Sequence, residues 1–176
     1  MADPTEVDRL VAEAEIRRVV SRYCRGIDRM DLELVRSCYH TDAHDEHGSF
    51  SGSVDEYVDW VAGLLAKYDA TMHFIANQLV EFDDRDTARV ETYGMSVHRS
   101  SSGAPHLNLT TGFRFVDRFE RRAGEWRIAQ RVAVADWSLR HEPDDFWPLP
   151  EHHRLGRRDR SDAVYEREPR VPRNER

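Results

Sequence analysis

At Lys67 the hydrophobic pattern of this chain changes period, and that change limits what it can fold into. Before it, apolar residues recur at helical spacing: Leu10, Ile16, Val19, Val20, Tyr23 and Ile27 in one run, Tyr57, Val58, Val61, Leu64 and Leu65 in another. After it come four long segments rich in β-branched and aromatic residues: Met72 to Phe82, Ala88 to Arg99, His106 to Arg121 and Trp126 to Leu139. Ser100-Ser101-Ser102-Gly103 and Arg122-Ala123-Gly124 read as hairpin turns between them. Helices followed by an antiparallel meander make an α+β domain. Strands this long curl, and a curled sheet closed by helices leaves a cone around a pocket.

The helix ends are marked in the sequence. Asp3-Pro4-x-Glu6 reads as an N-cap, a first-turn proline and an N3 acid, with Gly26 near the far end of that helix. Asp31 caps a short second helix reaching about Cys38, and Ser53 caps a third. A chain of 176 residues fits one domain. The expected division is a core over 1–140 and an extension over 141–176 that gathers Arg154, Arg157, Arg158, Arg160, Arg167, Arg170, Arg173 and Arg176. Such a tail reads as a solvated segment wrapped on the surface or on a neighbouring subunit.

Acids outnumber Lys plus Arg by 33 to 26, for a formal charge of −7, which argues against nucleic acid or an anionic membrane as partner. The two cysteines, Cys24 and Cys38, form no CxxC and no disulfide framework. Without an apolar N-terminal run suited to export or any bilayer-length segment, a cytoplasmic protein is expected.

His40 to His47 holds three histidines and three carboxylates, which invites a metal reading. That reading needs a helix to gather His40, His44 and His47 on one face. Gly48, Ser49 and Gly52 follow at once, so a strand is expected instead, with Ala43, Asp45 and His47 on one face and Asp42, His44 and Glu46 on the other. No metal is expected. Asp28, after the apolar Ile27 at the end of the first helix, and His73, in TMHFIANQ, are stronger candidates. An aspartate that orients a histidine fixes its tautomer and raises its basicity, which makes a general base. On spacing alone a satisfied core histidine is the default reading.

Three features together carry a family resemblance: Tyr23-x4-Asp28 at the end of the first helix, Met72-His73 at the first long strand, and Arg121-Arg122-x-Gly124-x-Trp126-Arg127-Ile128 before the last. Over roughly Val7 to Leu139 the chain resembles SnoaL-like proteins of the nuclear transport factor 2-like superfamily. It is most similar to the hexachlorocyclohexane dehydrochlorinase and bile-acid dehydratase group. The resemblance implies a cone-shaped α+β fold and a cofactor-independent lyase or isomerase acting on a hydrophobic cyclic molecule such as a steroid, terpenoid or polyketide. It implies His73 as the base, Asp28 as its partner, Tyr23 as hydrogen-bond donor to the leaving oxygen, and Arg131 as the cation that stabilises developing charge. The bile-acid enzyme places its arginine further along the strand, where this chain has Ala135.

Asp45, His47 and Asn108 are the expected substrate-binding residues, and a homo-oligomer, trimer or dimer, is the expected assembly. Two other classes stay open at this point. One is a SnoaL-like polyketide cyclase or epoxide hydrolase. The other is a non-catalytic relative resembling the β subunit of ring-hydroxylating dioxygenases.

Overall fold

The computed structural model describes residues 5–100, 108–142, 145, 148–150 and 152–166. Helix α1 (Glu6–Arg29) leads into the short α2 (Leu32–Ser37), then strands β1 (Tyr39–His47) and β2 (Phe50–Ser53) and helix α3 (Val54–Leu65). Four long strands follow: β3 (Ala70–Phe82), β4 (Thr87–Arg99), β5 (Leu109–Arg122) and β6 (Glu125–Arg140). All six strands form one sheet in the order β2-β1-β6-β5-β4-β3.

The meander β3 to β6 is antiparallel as expected, but β1 joins the free side of β6 in parallel, so the sheet is mixed. Periodicity reports where strands are, not which edge accepts the next one. Register shifts at Ile75/Gln78, Gly112/Phe113 and Arg118/Phe119 bend the long strands and raise their twist. The helices close the concave face. Ile16, Val19, Val20, Tyr23 and Ile27 of α1 and Tyr57, Val58, Val61 and Leu65 of α3 bury against Phe113, Phe115, Phe119 and Ile128 of the sheet.

Two expectations at α1 are corrected. Its cap is Thr5, which accepts from the Asp8 N–H while Asp8 accepts from the Thr5 N–H, a reciprocal box shifted from the Asp3 reading. Gly26 does not end the helix, which runs to Arg29 and closes on Met30 in the left-handed region. Gly26 instead lets α2 approach: a Cβ there would lie 2.7 Å from a Val35 methyl. The Asp31 and Ser53 caps stand where the sequence put them, and Glu56 completes a reciprocal box with Ser53. Arg122-Ala123-Gly124 is a tight turn with Ala123 and Gly124 at positive φ; the Ser101 to Gly103 turn lies outside the described residues.

The described part of the C-terminal extension packs on its own chain. Arg158 Nη1 donates to the carbonyls of Leu65 and Tyr68, and Arg160 and the Tyr165 hydroxyl both bond Asp31 at the start of α2. Among the described residues no helix is long and apolar enough to cross a membrane.

Candidate active site

Between α1, α3 and the concave face of the sheet lies a mostly apolar cavity of about 250 Å³. His73 lines it from the start of β3, and Asp28, in the last turn of α1, bonds His73 without lining the cavity itself. The His73 Nδ1 and Asp28 Oδ1 are 2.7 Å apart. Asp28 also accepts from the His73 backbone N–H at 2.9 Å and from the Thr71 hydroxyl at 3.0 Å. An ionised carboxylate can only accept, so Nδ1 carries the proton and Nε2 keeps its lone pair. The far nitrogen is thereby presented to the cavity that His73 lines. Sequence spacing named both partners but could not show them meeting.

Tyr23 lines the same cavity, and its hydroxyl is bonded to that of Tyr57 on α3. Burial pushes the Tyr23 phenol well above its ordinary range, with the Arg131 charge only partly opposing it. Burial does the same to Tyr57. Both stay protonated, and because one proton is used in the bond between them, the other hydroxyl is left to donate to a ligand oxygen.

Beneath Tyr23 the expectation for Arg131 is corrected. Its guanidinium is fully buried, stacked 3.8 Å from the Phe115 ring centroid and 4.3 Å from that of Tyr23. Two nitrogens donate to Asp117, at 2.8 and 2.7 Å. The group lies behind the cavity wall because inward register on β6 points it at the equally inward Asp117 on β5. Burial alone would lower its pKa, but the Asp117 charge holds it protonated, well above its ordinary value.

The strand reading of His40 to His47 fits the burial of β1. Ala43 and Asp45 are buried and His47 half-buried, while Asp42, His44 and Glu46 are exposed. The three histidines go separate ways: His40 to the Glu120 carbonyl, His44 to Ser51, His47 to Asp45. His47 lines the cavity as expected. Asp45 does not: it is wholly buried, accepting from the Tyr39 hydroxyl at 2.6 Å and holding His47 Nδ1 at 3.2 Å. Asn108 is also corrected. It bonds both the N–H and the carbonyl of Ser100 across the β4–β5 pair and does not line the cavity. The thiols of Cys24 and Cys38 are buried, which pushes them up to about 12 and about 11, unsuited to nucleophilic work.

His98 was not among the sequence candidates, yet its ring lies 5.9 Å from that of His73 on the cavity wall. The signal was available: in Met95-Ser96-Val97-His98 the alternation sends Ser96 and His98 inward. Phe113, at the place a Cβ on Gly94 would occupy, walls the space beside His73.

Burial, aided by the neighbouring His73, lowers His98 from 6.5 to about 4. The unfolded chain therefore binds this proton as pH falls through 6.5 while the folded protein does not until about 4. Stability from the neutral ring is whole above pH 6.5 and should drain by up to about 2–3 kcal/mol on approach to pH 4. Urea melts across this range should show the loss, and His98→Asn should flatten it. A variant that keeps the wild-type slope would assign the proton uptake to another group.

Several solved structures share this architecture. A Novosphingobium aromaticivorans protein assigned as a scytalone dehydratase aligns with a TM-score of 0.71 at 17% identity, covering 86% of this chain and 100% of its own. A type 2 hexachlorocyclohexane dehydrochlorinase (LinA) gives 0.73 at 18%, covering 85% and 100%. The type 3 enzyme from Novosphingobium barchaimii gives 0.70 at 19%, covering 82% and 100%. At such identities the likeness is one of fold. No functionally curated protein matches the sequence. The family model for the SnoaL-like domain matches residues 8–132, which hold nearly all of α1, the whole of α2 and α3, Asp28 and His73, and the sheet into β6; the chain belongs to the SnoaL-like family.

Proposed function

We propose that this protein is a cofactor-independent lyase of the dehydratase type, acting on a hydrophobic cyclic small molecule. His73 takes a proton from carbon, and a hydroxyl leaves from the neighbouring carbon. The observation that carries this reading is the Asp28–His73 pair, whose free nitrogen faces an apolar cavity. Desolvated walls favour a neutral base and a neutral substrate, and the fixed Asp28 charge stabilises the imidazolium once it forms. Tyr23, bonded to Tyr57, offers a hydrogen bond to a substrate oxygen. Arg131 acts through Tyr23, holding the phenol ring against its guanidinium. Solved relatives of the same fold that carry dehydratase and dehydrochlorinase names support elimination as the reaction class. The test is incubation with a panel of hydroxylated steroids and cyclic ketones, followed by mass detection of lost water. Wild-type protein should produce the dehydrated species from at least one compound, and His73→Ala should not.

The same reading includes a homo-oligomer, a trimer ahead of a dimer. Phe74, Met95 and Trp137 form a row across the outer face of the sheet, joined through paired registers on β3, β4, β5 and β6. They are 53%, 38% and 52% exposed, with Met72, Tyr93 and Leu139 also exposed nearby. A contiguous apolar face of this kind marks an association surface. Light scattering should give a multiple of the 20.6 kDa chain mass. Only monomer at micromolar concentration would refute the assembly.

A further inference from the structure

We propose that His47, held by Asp45, is the general acid of this site, and that the leaving group it serves is a hydroxyl and not a halide. The inference rests on the reading of His73 as the base and adds to it the fate of the leaving group.

Asp45 and His47 form a second Asp–His pair built on a different element from the first. The Asp45 carboxylate is fully buried and fixed from its other oxygen by the Tyr39 hydroxyl. It therefore accepts from His47 Nδ1, and the ring's opposite edge is left to the cavity that His47 lines. The imidazole is stacked on Tyr57 at 5.4 Å and packed against Trp60 at 6.2 Å, which fixes its plane.

The two histidines stand at either end of one aromatic floor. Phe113 and Phe115 touch at 4.6 Å; His73 packs on the first at 6.1 Å and His47 on the second at 6.0 Å. A cyclic molecule lying over both phenyl rings meets both imidazoles. One hydroxyl of the Tyr23–Tyr57 pair can donate to an oxygen there, but burial holds both protons too tightly for transfer near neutral pH. An imidazolium beside a carboxylate is a far better donor.

The step balances as follows. His73 Nε2 takes the proton from carbon, and the C–H electron pair becomes the new C=C bond. The C–O bond breaks with its pair on oxygen, which takes the Nε2 proton of His47 and departs as water. His73 is left protonated and His47 neutral, and exchange with solvent restores both. Chloride leaves as a stable anion and requires no such proton. A site that lines one cavity with an acid as well as a base is built for the leaving group that requires one.

The test compares a bicyclic β-hydroxy ketone, a hydroxylated decalone, with its β-chloro counterpart, reading the enone and released chloride. Wild-type protein should eliminate water from the first and chloride from the second. His47→Gln should cut water elimination at least about 100-fold, the usual scale of a lost general acid, and chloride elimination by less than about tenfold. Asp45→Asn should show the same split to a smaller degree, whereas a merely structural aspartate would cost both reactions together. His73→Ala should lose both. An equal fall on both compounds in a folded His47→Gln protein, or no fall on either, overturns the acid assignment. So does a wild-type protein that acts on the chloro ketone alone. A His73→Ala protein that keeps both reactions overturns the base reading, and a wild-type protein inert to both compounds overturns the two together.

Discussion

His73→Ala should reduce turnover to background while leaving the melting temperature near the wild-type value. The fold tolerates the change because Asp28 is not orphaned by it. The carboxylate keeps the Thr71 hydroxyl and the backbone N–H of residue 73 as donors. Asp28→Asn should also fold, yet lose roughly 10²–10⁴ in rate. An amide NH₂ facing Nδ1 favours the opposite tautomer, which puts the proton on Nε2, where the base needs a lone pair. The charge that stabilises the imidazolium disappears as well. Tyr23→Phe should be milder, since one neutral hydrogen bond is worth about 0.5–1.5 kcal/mol, up to roughly tenfold in rate. Steady-state kinetics on the substrate found by mass detection, paired with thermal melts, makes the comparison. Near-wild-type rates in both dyad variants would reduce Asp28–His73 to a satisfied core pair and favour a ligand-binding module.

The sequence carries the local structure of this fold well and its long-range pairings poorly. Caps at Asp31 and Ser53 are legible because side chain and orphan N–H lie within one helical turn. The period change at Lys67 is legible because a half-buried strand must alternate. The parallel seam of β1 on β6 is not, since Tyr39 meets Ile128 across about half of the chain and nothing local encodes it. The candidate site divides along the same line. Asp28 and His73 stand out as ionisable groups beside apolar residues, and their 45-residue separation is closed only by the fold. His98 and Asp117 escaped notice although both obey the inward alternation of β4 and β5. An aspartate in phase with Phe113, Phe115 and Phe119 demands a buried cation, and that demand would have found Arg131 as its partner. Asp45 shows the converse failure: alternation put it inward correctly but could not tell a cavity wall from a hydrogen-bonded core.

Arg131→Met should therefore be a stability defect before it is a catalytic one. Arg131 and Asp117 have no exposed side-chain surface, and their two parallel hydrogen bonds are the carboxylate's compensation for burial. Burial already pushes the Asp117 carboxyl upward against the opposing pull of Arg131. Removing the guanidinium strands that carboxylate in the core, with the Asp45 charge adding to its cost. Breaking such a pair on one side costs about 3–5 kcal/mol. For a chain of this size that lowers the melting temperature on the order of 10 °C. Arg131→Met combined with Asp117→Leu should recover much of the loss, because replacing both members of a buried pair by apolar groups is often close to neutral. Denaturant melts of the two singles and the double measure the coupling directly. The recovered double variant then separates the roles. If Arg131 works only by pinning Tyr23, the double variant should retain partial turnover, with a loss comparable to that of Tyr23→Phe. If instead Arg131→Met melts like wild type and still abolishes turnover, the guanidinium reaches substrate in a rearranged site, as the family resemblance first implied.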